Sequence, residues 1–585
     1  MPVRPCSKDR SLIKNCKIYA ALVLLLLWGT ITNAQDIIQS KQYPQGYFRY
    51  PLDLAPVTAG SFGELRPAHF HSGLDFKTMQ RTGYPVHAVA DGYISRLRIQ
   101  FGGFGQALYI THPNGYTSVY GHIQSFTPEV FKYIRDYQYK NQTFEADIRV
   151  PAGTFKVIKG EVVAVSGNEG ASAGPHVHFE LRDTATEETI NPQLFGLTIP
   201  DEVPPSITAI GVYHLNGNPF SENTPKEFLG VAGAAGNYHL LKPQVLQLSG
   251  NTGFGIAVTD QNSSSNNHNG VYSIEVKLDG RPVYTFAVER FAFDQTHAIN
   301  AYIDYPTFLL SHRTIQKCFI LPGGRISLYP QSVNRGIIPF NDNEVHDVEF
   351  VCKDIAGNTS TLKVKVQSSS VANNLAPAKP AGKMFYFNDL NEFNTDRLKI
   401  QIPTGNLYDD LDFLYSSLPA KPGAYSVTHR IHNKFTPIHD GYDIWIKPDI
   451  SLGAYTDKAV IVNAATGSIG GEPDAGFIKA TAKAFGDFYI RIDTVPPVIT
   501  PINIRNGSNL KGISAIRLRM SDNLSGVKSF AGKIDGKWVL VEWSYKTRIL
   551  SYTFTNDIAP GKHNFEFTVI DAKNNSTTFT AEFTR

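Results

Sequence analysis

Gly167-Asn168-Glu169-Gly170-Ala171-Ser172-Ala173-Gly174-Pro175-His176-Val177-His178-Phe179-Glu180 is a glycine-punctuated loop that runs into an alternating segment. The small and turn-forming residues before Pro175 predict a loop, and the polar–apolar alternation after it predicts a half-buried strand. Successive strand side chains point to opposite faces. His176, His178 and Glu180 therefore share one side, while Val177 and Phe179 enter the core. Working outward, residues 93–99, 107–111 and 161–166 are also strand-like and are bounded by Gly, Asn and Pro. The chain holds 48 Gly, 35 Pro, 36 Phe and 28 Tyr, with no heptads or long helical stretches to compete. Its 585 residues are too many for one core, so the fold class is mainly β, divided among several domains.

The N-terminus has a different composition. Arg4, Lys8, Arg10, Lys14 and Lys17 precede an apolar run over 18–31, and Thr32-Asn33-Ala34 offers a small-residue cleavage site before Gln35. This pattern predicts a signal peptide over 1–34 and export to the periplasm, cell envelope or exterior; an uncleaved membrane anchor is the alternative. Cys6 and Cys16 lie upstream of the apolar run, which excludes a lipobox cysteine after it. The segment carries a net charge of +4, so the formal +3 of the whole chain becomes −1 without it. That balance argues against a nucleic-acid surface. Of the 4 Cys only Cys318 and Cys352 remain, and export predicts a disulfide between them.

The second half contains an internal repeat. Val203-Pro204-Pro205 recurs as Val495-Pro496-Pro497, Gly270-Val271-Tyr272-Ser273 as Gly526-Val527-Lys528-Ser529, and Asp354…Asn358 as Asp571…Asn575. Three landmarks in one order predict two copies of a module, the first enlarged by insertions. They resemble bacterial immunoglobulin-like β-sandwiches. The expected domains are 35–201, 202–368, a linker over 369–382 rich in Ser, Ala, Asn and Pro, a β-rich domain of unassigned type over 383–492, and 493–585.

Chemistry concentrates in the first domain, where seven of the 17 His fall between His69 and His178. A catalytic metal needs three protein ligands and an open position, and His and Asp are suitable donors. His71…Asp75, His122 after Tyr120-Gly121, and His176-Val177-His178 supply such groups. Together with Gly167…Glu180, these motifs make residues 66–181 resemble the lysostaphin-type, or LytM-like, zinc endopeptidases. The stretches 86–92 and 110–115 match that family's scaffold. The resemblance implies a compact antiparallel β domain, Zn2+ as cofactor, His71, Asp75 and His178 as metal ligands, and His122 and His176 beside the metal as catalytic residues. It implies hydrolysis of the peptide cross-links of peptidoglycan as the activity. An exported non-catalytic activator of another wall hydrolase, or a protease of ordinary exported proteins, remains the alternative.

The other polar residues have plainer readings. His112 is expected to be structural, His69 a bystander and His87 a strand-surface residue, while Glu180 either orients a ligand or caps a solvated strand end. The family pattern is interrupted by an insertion near 127–150. Thr127-Pro128-Glu129 predicts a helix start there, with Val130, Ile134 and Tyr137 on one face. With every chemical role assigned before residue 201, residues 35–201 are expected to fold and act alone.

Overall fold

The computed structural model describes Met1 and residues 37–215, 217–371, 380–555 and 557–585. The expected signal segment with Cys6 and Cys16, and most of the expected linker, lie outside the described residues. Met1–Gln39 and Ser40–Arg585 form two units, and the fold described below is that of the second. The chain is mainly β, as its composition predicts. Among the described residues no helix is long and apolar enough to cross a membrane.

The N-terminal region begins with β1 (Thr58–Gly60), β2 (Leu65–Arg66), β3 (His69–Phe70), β4 (Leu74–Lys77) and β5 (Pro85–His87). The chain continues through β6 (Gly92–Ile99), β7 (Gln106–Thr111), β8 (Tyr116–Gly121) and β9 (Ile123–Phe126) to helix α1 (Pro128–Asn141). Beyond it lie β10 (Ala146–Arg149), β11 (Lys156–Val157), β12 (Val162–Ser166), β13 (His176–Asp183) and β14 (Thr189–Ile190). The main sheet runs β1-β4-β13-β8-β7-β6-β10, and a smaller one runs β5-β12-β9. Alternation decides which face is buried. Val177, Phe179, Leu74 and Tyr120 are fully enclosed and form the floor beneath the polar face of β13. Because β13 lies between β4 and β8, His178 pairs with Asp75 on one side and Gly121 on the other. Residues a hundred positions apart are thus brought together by register alone.

The insertion folds as α1 with Thr127 at its N-cap, although the Thr127 side chain makes no capping bond. Its buried face is Val130, Ile134 and Gln138, in place of the predicted Tyr137. The spacing is i, i+4, i+8, and the Gln138 amide is satisfied within this face by donating to the Phe144 carbonyl at 2.5 Å.

Residues 206–369 form a two-layered β module. Ser206–His214 pairs with Lys226–Ala234 and with Leu246–Thr259. In the other layer Val345–Lys353 lies between Ser273–Leu278 and Thr359–Ser369. Residues 383–492 make two further five-stranded sheets around Leu398, Ile400, Ile444, Ile461 and Ile490. Residues 498–584 form the last module around Phe565, Phe567 and Val569. A parallel pairing ties each repeated module together, Leu246 with Val366 in the first and Ser508 with Phe583 in the last. Cys318 and Cys352 are both buried and free, so the expected disulfide is not formed. Cys352 lies in a strand of one layer, whereas Cys318 follows a short strand attached to the other and leans on the Gln316 carbonyl at 3.9 Å. Burial raises both thiol pKa values, which keeps them protonated and inert.

The seam at residue 201 is sewn across. β14 continues the main sheet by pairing with Arg290–Phe291 of the following module. Phe62 packs on Phe291 at 5.1 Å between ring centres, and Phe70 packs on Phe291 and Tyr302 at 6.0 and 5.7 Å. The last module folds back to the same region, where Glu542 pairs with Arg135 of α1 at 2.6 Å and Trp543 meets Phe101 at 5.4 Å.

Candidate metal centre

Asp75 stands at the centre of the constellation. Its Oδ1 lies 3.1 Å from His71 Nε2 and 2.9 Å from His178 Nδ1, and those two nitrogens are 3.1 Å apart. All three residues are buried. The far side of each group is tied back. His71 Nδ1–H donates to the Ser61 carbonyl at 2.7 Å, His178 Nε2–H donates to Glu180 Oε1 at 2.9 Å, and Arg66 donates to Asp75 Oδ2 at 2.8 Å. These acceptors fix the tautomers. The inward atoms are then His71 Nε2, His178 Nδ1 and Asp75 Oδ1, three electron-rich centres that only a shared proton or a metal ion can hold together. Such a set is unfavourable unless a cation lies among them. Tetrahedral zinc with bonds of about 2.0–2.1 Å would separate its ligands by about 3.3 Å, close to the spacings here. The donor set fits a metal.

Glu180 holds the His178 ring from behind, and it is fully buried instead of solvated at a strand end. Ser72 Oγ donates to its Oε1 at 2.5 Å, and Arg182 Nε donates to its Oε2 at 2.6 Å. Burial alone would raise its pKa, but the Arg182 charge and the hydrogen bonds from His178 and Ser72 hold it at about 2. Asp75 is also held well below the usual carboxylate range: burial opposes ionisation, and the His71 charge and the His176 and His178 hydrogen bonds outweigh it. Burial would lower His178, yet Asp75 and Glu180 raise its pKa to about 9 when no cation shares the site.

His122 and His176 sit beside this cluster with their rings 4.7 Å apart. His176 Nδ1–H donates to the Gly174 carbonyl at 2.8 Å and turns Nε2 toward Asp75 Oδ1 at 3.3 Å. His122 follows β8 with a left-handed φ of 58°, and its Nδ1–H donates to the Glu169 carbonyl at 2.7 Å. Burial, reinforced by the charges of His176 and His178, lowers its pKa to about 3, so the ring is neutral at physiological pH. All five residues line one cleft of about 1040 Å³, with Arg66, His69, Phe104, Met79 and Asn267 among the other walls.

The remaining histidines sort differently. His112 is buried and doubly bonded, to the Asp91 carbonyl and Ser118 Oγ, both at 2.8 Å. His69 is exposed at the cleft edge. His87, expected on a strand surface, is instead buried; Gly160 and Asp53 satisfy its two ring nitrogens at 2.8 and 3.1 Å. Sequence reasoning missed Arg66, Ser72, Arg182 and Phe104, whose ring stacks on His178 at 4.9 Å. Arg182 had a signal, since it shares strand parity with His178 and Glu180. Arg66 acts through a tertiary hairpin and had none.

Residues 69–138 match peptidase family M23. The chain carries an M23 peptidase domain. Within its chain the matched span contains His71, Asp75 and His122, and β13 completes the cleft beyond it. Residues 382–493 match the Zu5-like domain. The chain is 32% identical over 152 residues to an uncharacterized metalloprotease of Haemophilus influenzae, covering 24% of this chain and 26% of that one. It is 29% identical over 158 residues to the DD-carboxypeptidase/endopeptidase Mpg of Neisseria meningitidis, covering 27% of each. The alignment thus spans about a quarter of the length of these relatives. A zinc-containing peptidase of Vibrio cholerae, known from its crystal structure, shares 26% identity over 24% of this chain and 37% of its own, with a TM-score of 0.18.

Proposed function

We propose that the M23 domain is a zinc metallo-endopeptidase that hydrolyses peptide cross-links of peptidoglycan outside the cytoplasm. The observation that carries this reading is the inward triad of His71 Nε2, Asp75 Oδ1 and His178 Nδ1, each turned by a bond behind it. In this reading these three hold Zn2+, and His122 and His176 are catalytic. When bound, zinc supplies a Lewis acid for the scissile carbonyl and lowers the pKa of an attacking water. The chain's own part is orientation and proton transfer. With Nδ1–H committed to carbonyls, both imidazoles present Nε2 as an acceptor, so a proton lost by water can pass to Nε2 and then to the leaving amine. The cell-wall substrate is supported by the name of the Neisseria relative.

The test uses the purified full mature chain, loaded with zinc, on intact sacculi and on casein. Release of uncross-linked muropeptides from sacculi with casein untouched is the expected result. Casein cleavage without sacculus turnover would assign the centre to ordinary exported proteins instead.

A further inference from the structure

Asp201, Asp260 and Asp354 converge at the point where the M23 domain passes into the first β module, with one carboxylate oxygen of each within 4.8 Å of the others. Asp201 precedes the module's first strand, Asp260 follows Leu246–Thr259, and Asp354 follows Val345–Lys353. Two of these carboxylates are satisfied. Asp201 accepts from Val203 N and Asn262 Nδ2 at 3.0 and 3.2 Å, and Asp354 accepts from Asn358 N and Nδ2 at 2.9 and 2.7 Å. The third is not. Asp260 is 5% exposed, and its Oδ1 is buried with no hydrogen-bond partner. A bare buried carboxylate oxygen beside two other carboxylates is unfavourable unless a proton or a metal ion joins them. Burial, followed by the charges of Asp354 and Asp201, raises the Asp260 pKa to about 8.

The same arrangement is built again at the entry to the last module. Asp493, Asp522 and Asp571 hold carboxylate oxygens within 4.8 Å of one another. Asp522, the counterpart of Asp260, again has a buried Oδ1 without a partner. Asn358 Nδ2 bridges the Asp354 carboxylate and the Asp201 carbonyl at 2.7 and 3.2 Å; Asn575 bridges Asp571 and Asp493 at 2.7 and 3.0 Å. Both copies therefore retain the three carboxylates, the same asparagine brace and the same unsatisfied oxygen.

We infer that Asp201, Asp260 and Asp354 form a binding site for a hard divalent cation of the calcium class, separate from the M23 cleft. An all-oxygen donor set selects calcium over zinc. Asn269 pairs with Asp260 through two backbone hydrogen bonds of 2.7 and 3.0 Å and has its own buried, unpartnered Oδ1, which makes it a further oxygen donor close by. The ion fixes the base of the loop between Asp260 and Asn269. That loop reaches the cleft, since Lys77 Nζ donates to Ser265 Oγ at 2.8 Å and Asn267 lines the cleft wall. Calcium here would hold one rim of the M23 cleft in place, whatever substrate the cleft takes.

The test is calorimetric titration of the calcium-free, zinc-loaded full chain with calcium chloride, in an Asp522→Asn background so that only this cluster is read. The expected result is one ion per chain with a dissociation constant on the order of 0.1–1 mM, the range of extracellular calcium modules. Adding Asp260→Asn should weaken binding at least tenfold and abolish the calcium-induced slowing of hydrogen exchange over 261–268. Circular dichroism checks that the variant folds; if it does not, Asp201→Asn, altering a partly exposed carboxylate, takes its place. No binding up to about 5 mM in the Asp522→Asn background, or unchanged binding after Asp260→Asn, would overturn the assignment.

Discussion

The inward lone pairs of His71 and His178 determine what each site residue should do when changed. His71→Ala, Asp75→Ala or His178→Ala leaves two donors where three are needed, so each should lose stoichiometric zinc, measured by metal analysis of folded protein. Glu180→Gln keeps the shape but weakens the acceptor that sets the His178 tautomer, and zinc affinity should fall about 10–100-fold. His122→Ala and His176→Ala should retain zinc and lose turnover by about 10²–10⁴-fold if their work is the proton transfer proposed above. The pH dependence follows from His178, whose folded pKa is raised to about 9 when no cation shares the site. In metal-free protein its proton stabilises the fold fully below about 6.5, the ordinary histidine pKa, and that contribution fades as pH rises through about 9. Zinc must displace this proton, so the sign for binding is opposite. Apparent zinc affinity should rise about tenfold per pH unit between pH 6 and 8, while the melting temperature of metal-free protein drifts downward toward pH 9. A flat affinity profile over that range would remove His178 Nδ1 from the metal set.

At the scale of the element, the loop before β13 and the turn before β7 meet through two glycines. Gly105 and Gly170 have φ of 65° and 69°, and a Cβ added to either would come within 2.4 Å of the other's backbone nitrogen. Gly170→Ala should therefore push the 167–175 loop outward and carry Glu169, the anchor of His122, with it. The expected outcome is retained zinc with at least a tenfold loss of turnover, since Asp75 and His178 lie on strands, His71 lies on the short link between β3 and β4, and His122 is held by the loop. The elements show why the site was legible in the sequence. A strand with period two announces its polar face, and His176-Val177-His178-Phe179-Glu180 is such a strand. The face of α1 was read less well because Gln138 is buried by tertiary contact, and polarity alone would place it in water. His87 was misread for the same reason, since its two partners come from distant segments.

For the whole molecule, the sequence marked modules by their repeats but could not mark how they close on one another. Composition does not reveal that Phe291 and Tyr302 roof Phe70, or that Arg182, which holds Glu180, lies under the Phe293 ring at 4.3 Å. The paired cysteines misled for a related reason: residue type and expected export favoured a disulfide, whereas both thiols are buried and free. The closed seam changes the expectation for a fragment of residues 35–201. Cutting there removes the strand paired with β14 and uncovers Phe62 and Phe70, which are 2% and 0% exposed in the full chain. Exposing two such side chains costs about 3–6 kcal/mol, comparable with the net stability of a typical domain. This fragment should aggregate or melt well below the full chain. A fragment of residues 35–368 keeps the seam and the Asp201 cluster intact, so it should fold, load zinc and cut soluble cross-linked peptides. It lacks the Arg135–Glu542 pair, the Trp543 contact with Phe101 and the Lys546 bond to the Asn168 carbonyl in the loop before β13, none of which touches His71, Asp75 or His178. Melting curves and zinc content of the two fragments, measured side by side, check this. If the 35–201 fragment matched the longer one in both, the first β module would be a spacer and its aromatic roof dispensable.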